Sequence, residues 1–254
     1  MKELFKTKKN ILNVYLTAGF PKLHDTVEIV TQLAKNKVDI VEIGMPFSDP
    51  LADGPTIQNS SKIAIKNGIT INTIFNQIIE IRKKTSIPIL LMGYYNQLLR
   101  YGADNFFKKA KEVGVNGLII PDLPIAVYKK DHKKMVKKLN LDMIFLITPQ
   151  TSDQRIKMID KESSGFIYVV SSYSITGSKN EINKEQINYF SRIEKMQLKN
   201  PKLIGFGIHN KQTFDIACKY ANGAIIGSAF IKQLEKSKNL KWTIQEFVKS
   251  IREG

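Results

Sequence analysis

The chain is organised around one stretch, VEIGMPFSDPLADGPT at residues 41–56, which begins as an apolar strand and continues as a long loop. Side chains alternate along a strand, so Val38, Ile40 and Glu42 share one face of the predicted strand. An unpaired buried carboxylate is costly, so stability does not explain Glu42. The loop carries a second acid, Asp53, which it can bring back to the strand. Two such acids are the minimum for moving protons at two places on one substrate.

Outward from this stretch, short apolar strands alternate with amphipathic helices along the whole chain. The predicted strands cover residues 13–17, 38–43, 87–92, 117–120, 142–147, 166–170, 202–206 and 223–226. Strands that are apolar on both faces are typical of parallel sheets. Eight such units in 254 residues predict an α/β fold, a single (β/α)8 TIM barrel over residues 1–254.

The ends of the chain and one alternative fold complete this prediction. Extra terminal helices are expected at 229–236 and 242–251, with Trp242 as the packing anchor of the second. A doubly wound sheet is the alternative, but no Gly-x-Gly follows the first predicted strand.

The composition excludes several classes of protein. No run of about 18 apolar residues is present, so no membrane span is expected. The basic first ten residues lack the apolar core of a secretory signal. The single cysteine, Cys218, excludes an internal disulfide and fits a reducing compartment, so we expect a cytoplasmic protein. His24, His132 and His209 are too scattered for a metal site.

The net charge of +16 is spread over the helices as lysines and is not gathered with aromatic residues. This distribution predicts solvated helix faces and no nucleic-acid partner. An excess of positive charge still attracts anions such as phosphorylated substrates.

In (β/α)8 barrels the active site lies at the carboxyl ends of the strands. Three glycine motifs follow the last three predicted strands, at that end of the barrel. They are ITG at 175–177, GFGI at 205–208 and GSA at 227–229, the last opening a helix. Each alone is also typical of a tight turn. Together they favour a phosphate cradle of backbone amides, because glycine admits an oxyanion and a helix N-terminus offers free N–H groups. The candidate residues are Thr176, Gly177, Phe206, Gly207, Gly227 and Ser228.

An apolar slot is expected between the acids and this cradle. Any one of its residues is also typical of plain core, but an aromatic bicyclic substrate needs such a slot. The candidates lie near strand ends and are Tyr15, Met92, Ile119, Tyr168 and Ile225.

Residues 42–55 resemble the signature of the tryptophan synthase alpha subunit family, Glu-hydrophobic-Gly-x-Pro-Phe-Ser-Asp-Pro-x-Ala-Asp-Gly-Pro, at every fixed position. The resemblance extends from Tyr15 to the last helix. The motif Tyr94-Tyr95-Asn96 is similar to the family's Tyr-x-Asn and adds Tyr94 to the substrate-binding candidates, although Gln97 stands where many members have proline.

The resemblance implies a lyase that cleaves indole-3-glycerol phosphate to indole and glyceraldehyde 3-phosphate by a retro-aldol reaction. It implies that Glu42 is the acid and base at indole C3 and the glycerol hydroxyl. It also implies that Asp53 accepts a hydrogen bond from the indole N–H. The family works in an alpha2beta2 heterotetramer whose beta subunit carries pyridoxal phosphate, so no cofactor and no metal are expected on this chain.

The loop after the sixth predicted strand departs from the family. It reads SSYSITG at 171–177, with Ser172 and Ser174 where arginine and glycine are common. The resemblance implies that this loop closes over the substrate and that Thr176 hydrogen-bonds Asp53.

Two other functions remain as alternatives. One is a different phosphate-handling barrel enzyme, such as an isomerase of the same pathway, which would lack the long loop at 46–50. The other is a catalytically weak barrel that mainly activates its beta partner, against which the retention of both Glu42 and Asp53 argues.

Overall fold

The computed structural model describes residues 1–50, 53–171 and 183–254. Its centre is one parallel sheet in the order β5-β4-β3-β2-β1-β9-β8-β7-β6. The strands are β1 (Ile11–Thr17), β2 (Ile40–Gly44), β3 (Ile89–Met92), β4 (Gly117–Ile119), β5 (Asp142–Ile144), β6 (Leu146–Ile147), β7 (Ile167–Val170), β8 (Lys202–Gly205) and β9 (Gly223–Ile226).

The two edges of this sheet are joined by the chain itself, because β5 and β6 are separated by Phe145 alone. β5 pairs with β4 and β6 pairs with β7, so the sheet is nearly closed into a barrel. The single strand predicted at 142–147 is therefore wrong in one respect, since it is interrupted where it changes partner. At the interruption the Phe145 ring packs on Tyr128, with centroids 5.2 Å apart.

Helices surround the sheet, as the sequence predicts for a (β/α)8 barrel. They are α1 (Lys2–Thr7), α2 (Asp25–Lys35), α3 (Pro55–Lys66), α4 (Ile71–Arg82), α5 (Tyr95–Tyr101), α6 (Ala103–Glu112), α7 (Ile125–Val127), α8 (Lys133–Lys138), α9 (Asp153–Glu162), α10 (Lys184–Lys195), α11 (Lys211–Tyr220), α12 (Ser228–Glu235) and α13 (Leu240–Arg252). A π-helical segment, Tyr128–His132, lies between α7 and α8. In the described parts of the chain no helix is long and apolar enough to cross a membrane.

Several helix starts are set by side chains that accept from the first-turn amides. Thr70 caps α4 by accepting from the Thr73 N–H, and Asn183 and Asn210 cap α10 and α11 in the same way. Such a cap stabilises a helix by about 1 kcal/mol. The caps of α10 and α11 fix where these helices begin after β7 and β8.

Apolar side chains fill the interior of the barrel, beginning at the amino ends of the strands. Ile11, Ile40 and Phe166 belong to this interior, and Leu4 and Phe5 of α1 pack beneath it. The rings of Phe5 and Phe166 lie 6.0 Å apart. Because α1 covers the amino end, the carboxyl end is left for a site.

The terminal helix α13 is anchored differently from the sequence prediction. Trp242 is 63% exposed, so its predicted role as the packing anchor of this helix is wrong. Ile244, Val248 and Ile251 are buried instead, on one face of the helix. The i, i+4 and i+7 spacing of these residues is the apolar stripe that holds α13 to the barrel.

Candidate active site

Glu42 lies in the interior of the barrel at the third position of β2, in register with Tyr15 of β1 and Leu90 of β3. The residue is 1% exposed. Its Oε2 accepts a hydrogen bond of 3.2 Å from Asn13 Nδ2, and its Oε1 has no partner among the described residues. Burial raises the pKa of the Glu42 carboxyl to about 8, opposed by the Asn13 hydrogen bond and reinforced by the Asp53 charge.

Asp53 lies at the end of the loop that leaves β2, just before α3. Its N–H donates to the Pro50 carbonyl at 3.2 Å, and Gln58 of α3 donates to the Asp53 carbonyl at 2.9 Å. The carboxylate accepts from the Tyr94 hydroxyl at 2.9 Å. Burial raises the pKa of Asp53 to about 6, and the Tyr94 hydrogen bond opposes that rise. The Asp53 charge also acts on the Glu42 carboxyl, so the loop brings its acid close to the acid of β2.

Tyr94 is held by the start of α5. Its N–H donates to Gln97 Oε1, and Gln97 Nε2 donates to the Pro46 carbonyl, both at 2.9 Å. Phe47 stacks on the Tyr94 ring at a centroid distance of 5.1 Å. Gln97, which departs from the family's usual proline, thus ties the loop after β2 to the tyrosine that holds Asp53.

Two buried tyrosines lie beside the acids. A Cβ at Gly44 would collide with the Tyr15 hydroxyl, and a Cβ at Gly205 would collide with the Tyr168 hydroxyl. Each tyrosine ring thus lies against a glycine of the neighbouring strand, Tyr15 against Gly44 of β2 and Tyr168 against Gly205 of β8, and a larger residue there would clash with the hydroxyl. Burial raises the pKa of both hydroxyls, and the charges of Asp53 and Glu42 add to the rise.

The residues predicted for an apolar slot are mostly brought together. Ile119, Tyr168 and Ile225 belong to the barrel interior, with Met92 and Phe206 packed against it. Tyr15 belongs to the larger cluster between sheet and helices, but the Glu42 and Asp53 charges acting on its hydroxyl place it beside the acids.

The predicted cradle lies where β8 and β9 end. Phe206 and Gly207 both have left-handed backbones, with φ of 67° and 75°. The Ser171 hydroxyl donates to the Phe206 carbonyl and holds this turn. Gly227 is the N-cap of α12 and has no side chain with which to accept from the first amides of the helix, from Ser228 onward.

Gly227 also connects the cradle to the acids. A Cβ at Gly227 would lie 3.5 Å from the Tyr15 ring, and Tyr15 is the register partner of Glu42. Thr176 and Gly177, with Ser172 and Ser174, lie outside the described residues. Within residues 1–50, 53–171 and 183–254 no group of three His, Cys, Asp or Glu side chains could hold a metal ion.

Asn13 is the site residue that the sequence reasoning missed. It lies on β1 two residues before Tyr15, on the same face of the strand, and donates to Glu42. The signal was present, because an asparagine within ILNVYLT interrupts an apolar strand with an amide. Only the register between β1 and β2 shows which acid the amide reaches.

Known proteins match this chain over nearly its whole length. The sequence profile described as tryptophan synthase alpha chain matches residues 1–253. The tryptophan synthase alpha chain of Flavobacterium johnsoniae is 56% identical over 96% of this chain and 96% of its own length. That of Parabacteroides distasonis is 45% identical over 98% of both.

Solved structures agree with the sequences. The tryptophan synthase A-subunit of Pyrococcus furiosus superposes with a TM-score of 0.89 at 34% identity, covering 96% of this chain and 98% of that chain. A chain from the tryptophan synthase complex of the same organism gives a TM-score of 0.87, also at 34% identity and with the same coverage. The family model, the sequence identity over nearly the full length and the common fold all agree. The chain therefore belongs to the tryptophan synthase alpha chain family.

Proposed function

We propose that this chain cleaves indole-3-glycerol phosphate to indole and glyceraldehyde 3-phosphate, with Glu42 and Asp53 as its catalytic residues. One observation carries the assignment of roles. The two acids occupy one site, yet their environments raise the pKa of Glu42 to about 8 and that of Asp53 to only about 6. Between these values one carboxyl is protonated and the other ionised, which is the arrangement that separates an acid from a charge stabiliser.

Glu42 supplies and recovers one proton in this reaction. The neutral acid protonates C3 of the indole ring, which makes the ring an electron sink. The resulting carboxylate takes the proton of the glycerol hydroxyl next to the scissile bond, and the C–C bond breaks with its electron pair moving to the ring. Indole and an aldehyde leave, and Glu42 is protonated again. Burial at 1% exposure supports this role, because it favours the neutral acid before the reaction.

Asp53 stabilises the positive charge that develops on the ring. As an anion it accepts the indole N–H, whose acidity increases when C3 is protonated. The Tyr94 hydroxyl supports this role by hydrogen-bonding the ionised form at 2.9 Å. Tyr94 is therefore a positioning residue for Asp53 as well as a wall of the site.

The phosphate of the substrate lies in the cradle at Phe206, Gly207, Gly227 and Ser228, with Thr176 and Gly177 proposed as further contacts. The N-terminus of α12 supports this placement, because its first amides and its dipole favour an anion. The indole ring then occupies the apolar slot of Tyr15, Met92, Ile119, Tyr168 and Ile225, between cradle and acids.

The partner of the chain is a tryptophan synthase beta subunit in an alpha2beta2 heterotetramer, to which it passes indole. Pyridoxal phosphate belongs to that beta subunit, and the lyase step draws on no cofactor of this chain. We propose that residues 1–254 act as one barrel domain and that the protein is cytoplasmic.

Release of indole from indole-3-glycerol phosphate by the purified chain, alone and with a beta subunit, tests this function. We expect release in both cases and faster release in the complex. A chain that stimulates the beta reaction but releases no indole under any condition would contradict the proposal and favour the activator function. A chain that does neither would contradict both.

A further inference from the structure

Asn13 is an amide in the apolar interior of the barrel. The residue is 0% exposed, and its register partners are Ile40 of β2 and Ile225 of β9. Its Oδ1 has no hydrogen-bond partner among the described residues. A buried amide oxygen without a partner costs stability, and an aliphatic side chain of similar volume would avoid that cost. Folding alone therefore does not account for an asparagine at this position.

The Asn13 amide forms one side-chain hydrogen bond, to the Glu42 carboxyl. Asn13 Nδ2 donates to Glu42 Oε2 at 3.2 Å, and no other described side chain hydrogen-bonds that carboxyl. Because Asn13 stands one layer below Glu42, it supports the carboxyl from beneath and leaves the side facing the carboxyl ends of the strands for a substrate.

We propose that Asn13 is a positioning residue for Glu42, holding the carboxyl in its working orientation and limiting how tightly it keeps its proton. This inference rests on the lyase function proposed above and deepens it. Asn13 touches no reacting atom and acts only through Glu42.

A carboxamide suits this purpose because it can serve both forms of a carboxyl that gains and loses a proton. Its N–H groups donate to the carboxylate, and its carbonyl accepts from the neutral acid after a half-turn of the amide. The bond to the charged form is the stronger of the two, so Asn13 favours ionisation. An aliphatic residue would leave Glu42 a weaker acid towards indole C3.

The other groups that act on Glu42 favour its neutral form or are neutral themselves. The Asp53 charge raises the pKa of Glu42, and so does burial. Tyr15 of β1 and Tyr168 of β7 lie close enough for the Glu42 charge to raise the pKa of their hydroxyls. Leu90, the register partner on β3, is apolar. Asn13 is therefore the one influence identified in the described chain that favours the ionised form of Glu42.

The test is the pH profile of kcat/KM for indole release by the complex with a beta subunit, compared between wild type and Asn13→Leu. Since the neutral acid starts the reaction, the rate falls as Glu42 ionises, and this alkaline limb reports its pKa. Loss of the Asn13 bond should move the limb upward by roughly one pH unit. It should lower kcat roughly tenfold with little change in KM. The Tm should stay the same or rise.

Two further variants keep the test decisive. Ile40→Leu changes the shape of a side chain in the same interior layer at nearly constant volume and removes no hydrogen bond, so its alkaline limb should coincide with that of wild type. Asn13→Ala cannot overpack the barrel, and it provides the same readout if the leucine variant does not fold.

The outcomes separate this inference from the proposed function. An alkaline limb and a kcat that stay at wild-type values in both Asn13 variants would overturn the role of Asn13. In that case an active wild type that loses its activity in Glu42→Gln would leave the lyase function standing. If Glu42→Gln keeps the wild-type rate and profile, the proposed catalytic role of Glu42 fails and this inference fails with it, whereas the lyase activity itself fails only if the wild type releases no indole.

Discussion

Two buried carboxylates, Asp39 and Glu42, lie three positions apart in the sequence, the first just before β2 and the second at its middle, and they have opposite surroundings. Asp39 accepts from the Leu12 N–H at 2.8 Å and pairs with Arg252 at 2.6 Å and with Lys8. Glu42 has one hydrogen bond, of 3.2 Å, and one oxygen without a described partner. Both oxygens of Asp39, at the amino end of β2, thus have partners, whereas one oxygen of Glu42, further along the strand, has none among the described residues.

This difference separates stability from function. Asp39 joins β2 to the residue after α1 and to the last turn of α13, so it fastens both ends of the chain to the sheet. Glu42 forms no ion pair within the described residues, and its incomplete hydrogen bonding costs stability. An acid that the fold does not need, held where a substrate can reach it, is an acid available for chemistry.

The largest expected effect is that of Glu42→Gln on activity. The amide keeps the shape of the side chain but cannot transfer a proton, so indole release should fall by roughly 10²–10⁴-fold. Steady-state assays of the complex measure this loss. Because glutamine packs in the barrel interior as glutamate does, the circular dichroism spectrum and the affinity for ligand should match those of wild type.

The same variant should gain stability at alkaline pH. The Glu42 carboxyl has a folded pKa of about 8 against an ordinary value of 4.5. Between these values the unfolded chain releases the proton and the folded chain keeps it, so stability falls as pH rises through this window. Glutamine removes that dependence. A variant that is inactive and less stable than wild type above pH 8 would break the contrast with Asp39.

Asp39→Ala should show the reverse pattern. It leaves Arg252 and the Leu12 N–H without their partner, so the free energy of unfolding should fall by roughly 2–4 kcal/mol. The folded fraction should keep its kcat, because Asp39 lies at the far end of the barrel. Urea unfolding and kinetics measure the two effects. The matched control is Glu3→Ala, whose ion pair with Lys6 is exposed and should contribute nothing measurable. Loss of activity at constant stability in Asp39→Ala would contradict this account.

Gly207→Val should weaken binding at the carboxyl end by raising KM roughly tenfold with less change in kcat. The valine crowds the proposed phosphate and strains a left-handed backbone at φ 75°. Gly68→Val is the matched control, because Gly68 has φ 86° and open space around it. Both variants should lose similar stability, and only Gly207→Val should lose affinity for glycerol phosphate. Equal inhibition constants in the two would exclude the cradle at Gly207.

The smallest expected effect is on the pH profile. With Asp53 required as an anion and Glu42 as an acid, kcat/KM should rise through about pH 6 and fall through about pH 8. Tyr94→Phe removes a hydrogen bond that lowers the pKa of Asp53, so the acid limb should move upward and the alkaline limb should stay. A shift of the alkaline limb alone would mean that the roles of the two acids are exchanged.

The sequence predicts an element of the fold where the residues of that element alone show an apolar or amphipathic pattern. The apolar runs at β2, β8 and β9 and the amphipathic pattern of α11 predict the alternation of strands and helices directly. Helix α5 carries no such signal of its own, because its start depends on the hydrogen bond from Gln97 to the Pro46 carbonyl in the loop after β2. The interruption at Phe145 was missed for a similar reason, since it depends on which strands meet when the sheet closes.

The site divides along the same line. Glu42 could be recognised from its apolar strand, whereas Asp53 needed the resemblance to support it, because Ala-Asp-Gly-Pro alone is a turn. Asn13 could not be assigned to an acid without the register of β1 on β2. The position of Trp242 was mistaken because its size suggests burial, while the apolar stripe of α13 lies on another face.

A carbon NMR titration of the Glu42 carboxyl in the unliganded chain tests the central claim most directly, with Glu42→Gln to identify the signal. The account predicts a midpoint near pH 8, which shows an acid kept neutral at physiological pH by burial. A midpoint near the ordinary glutamate value of 4.5 would contradict it, because Glu42 would then be an anion with no proton to give to indole C3.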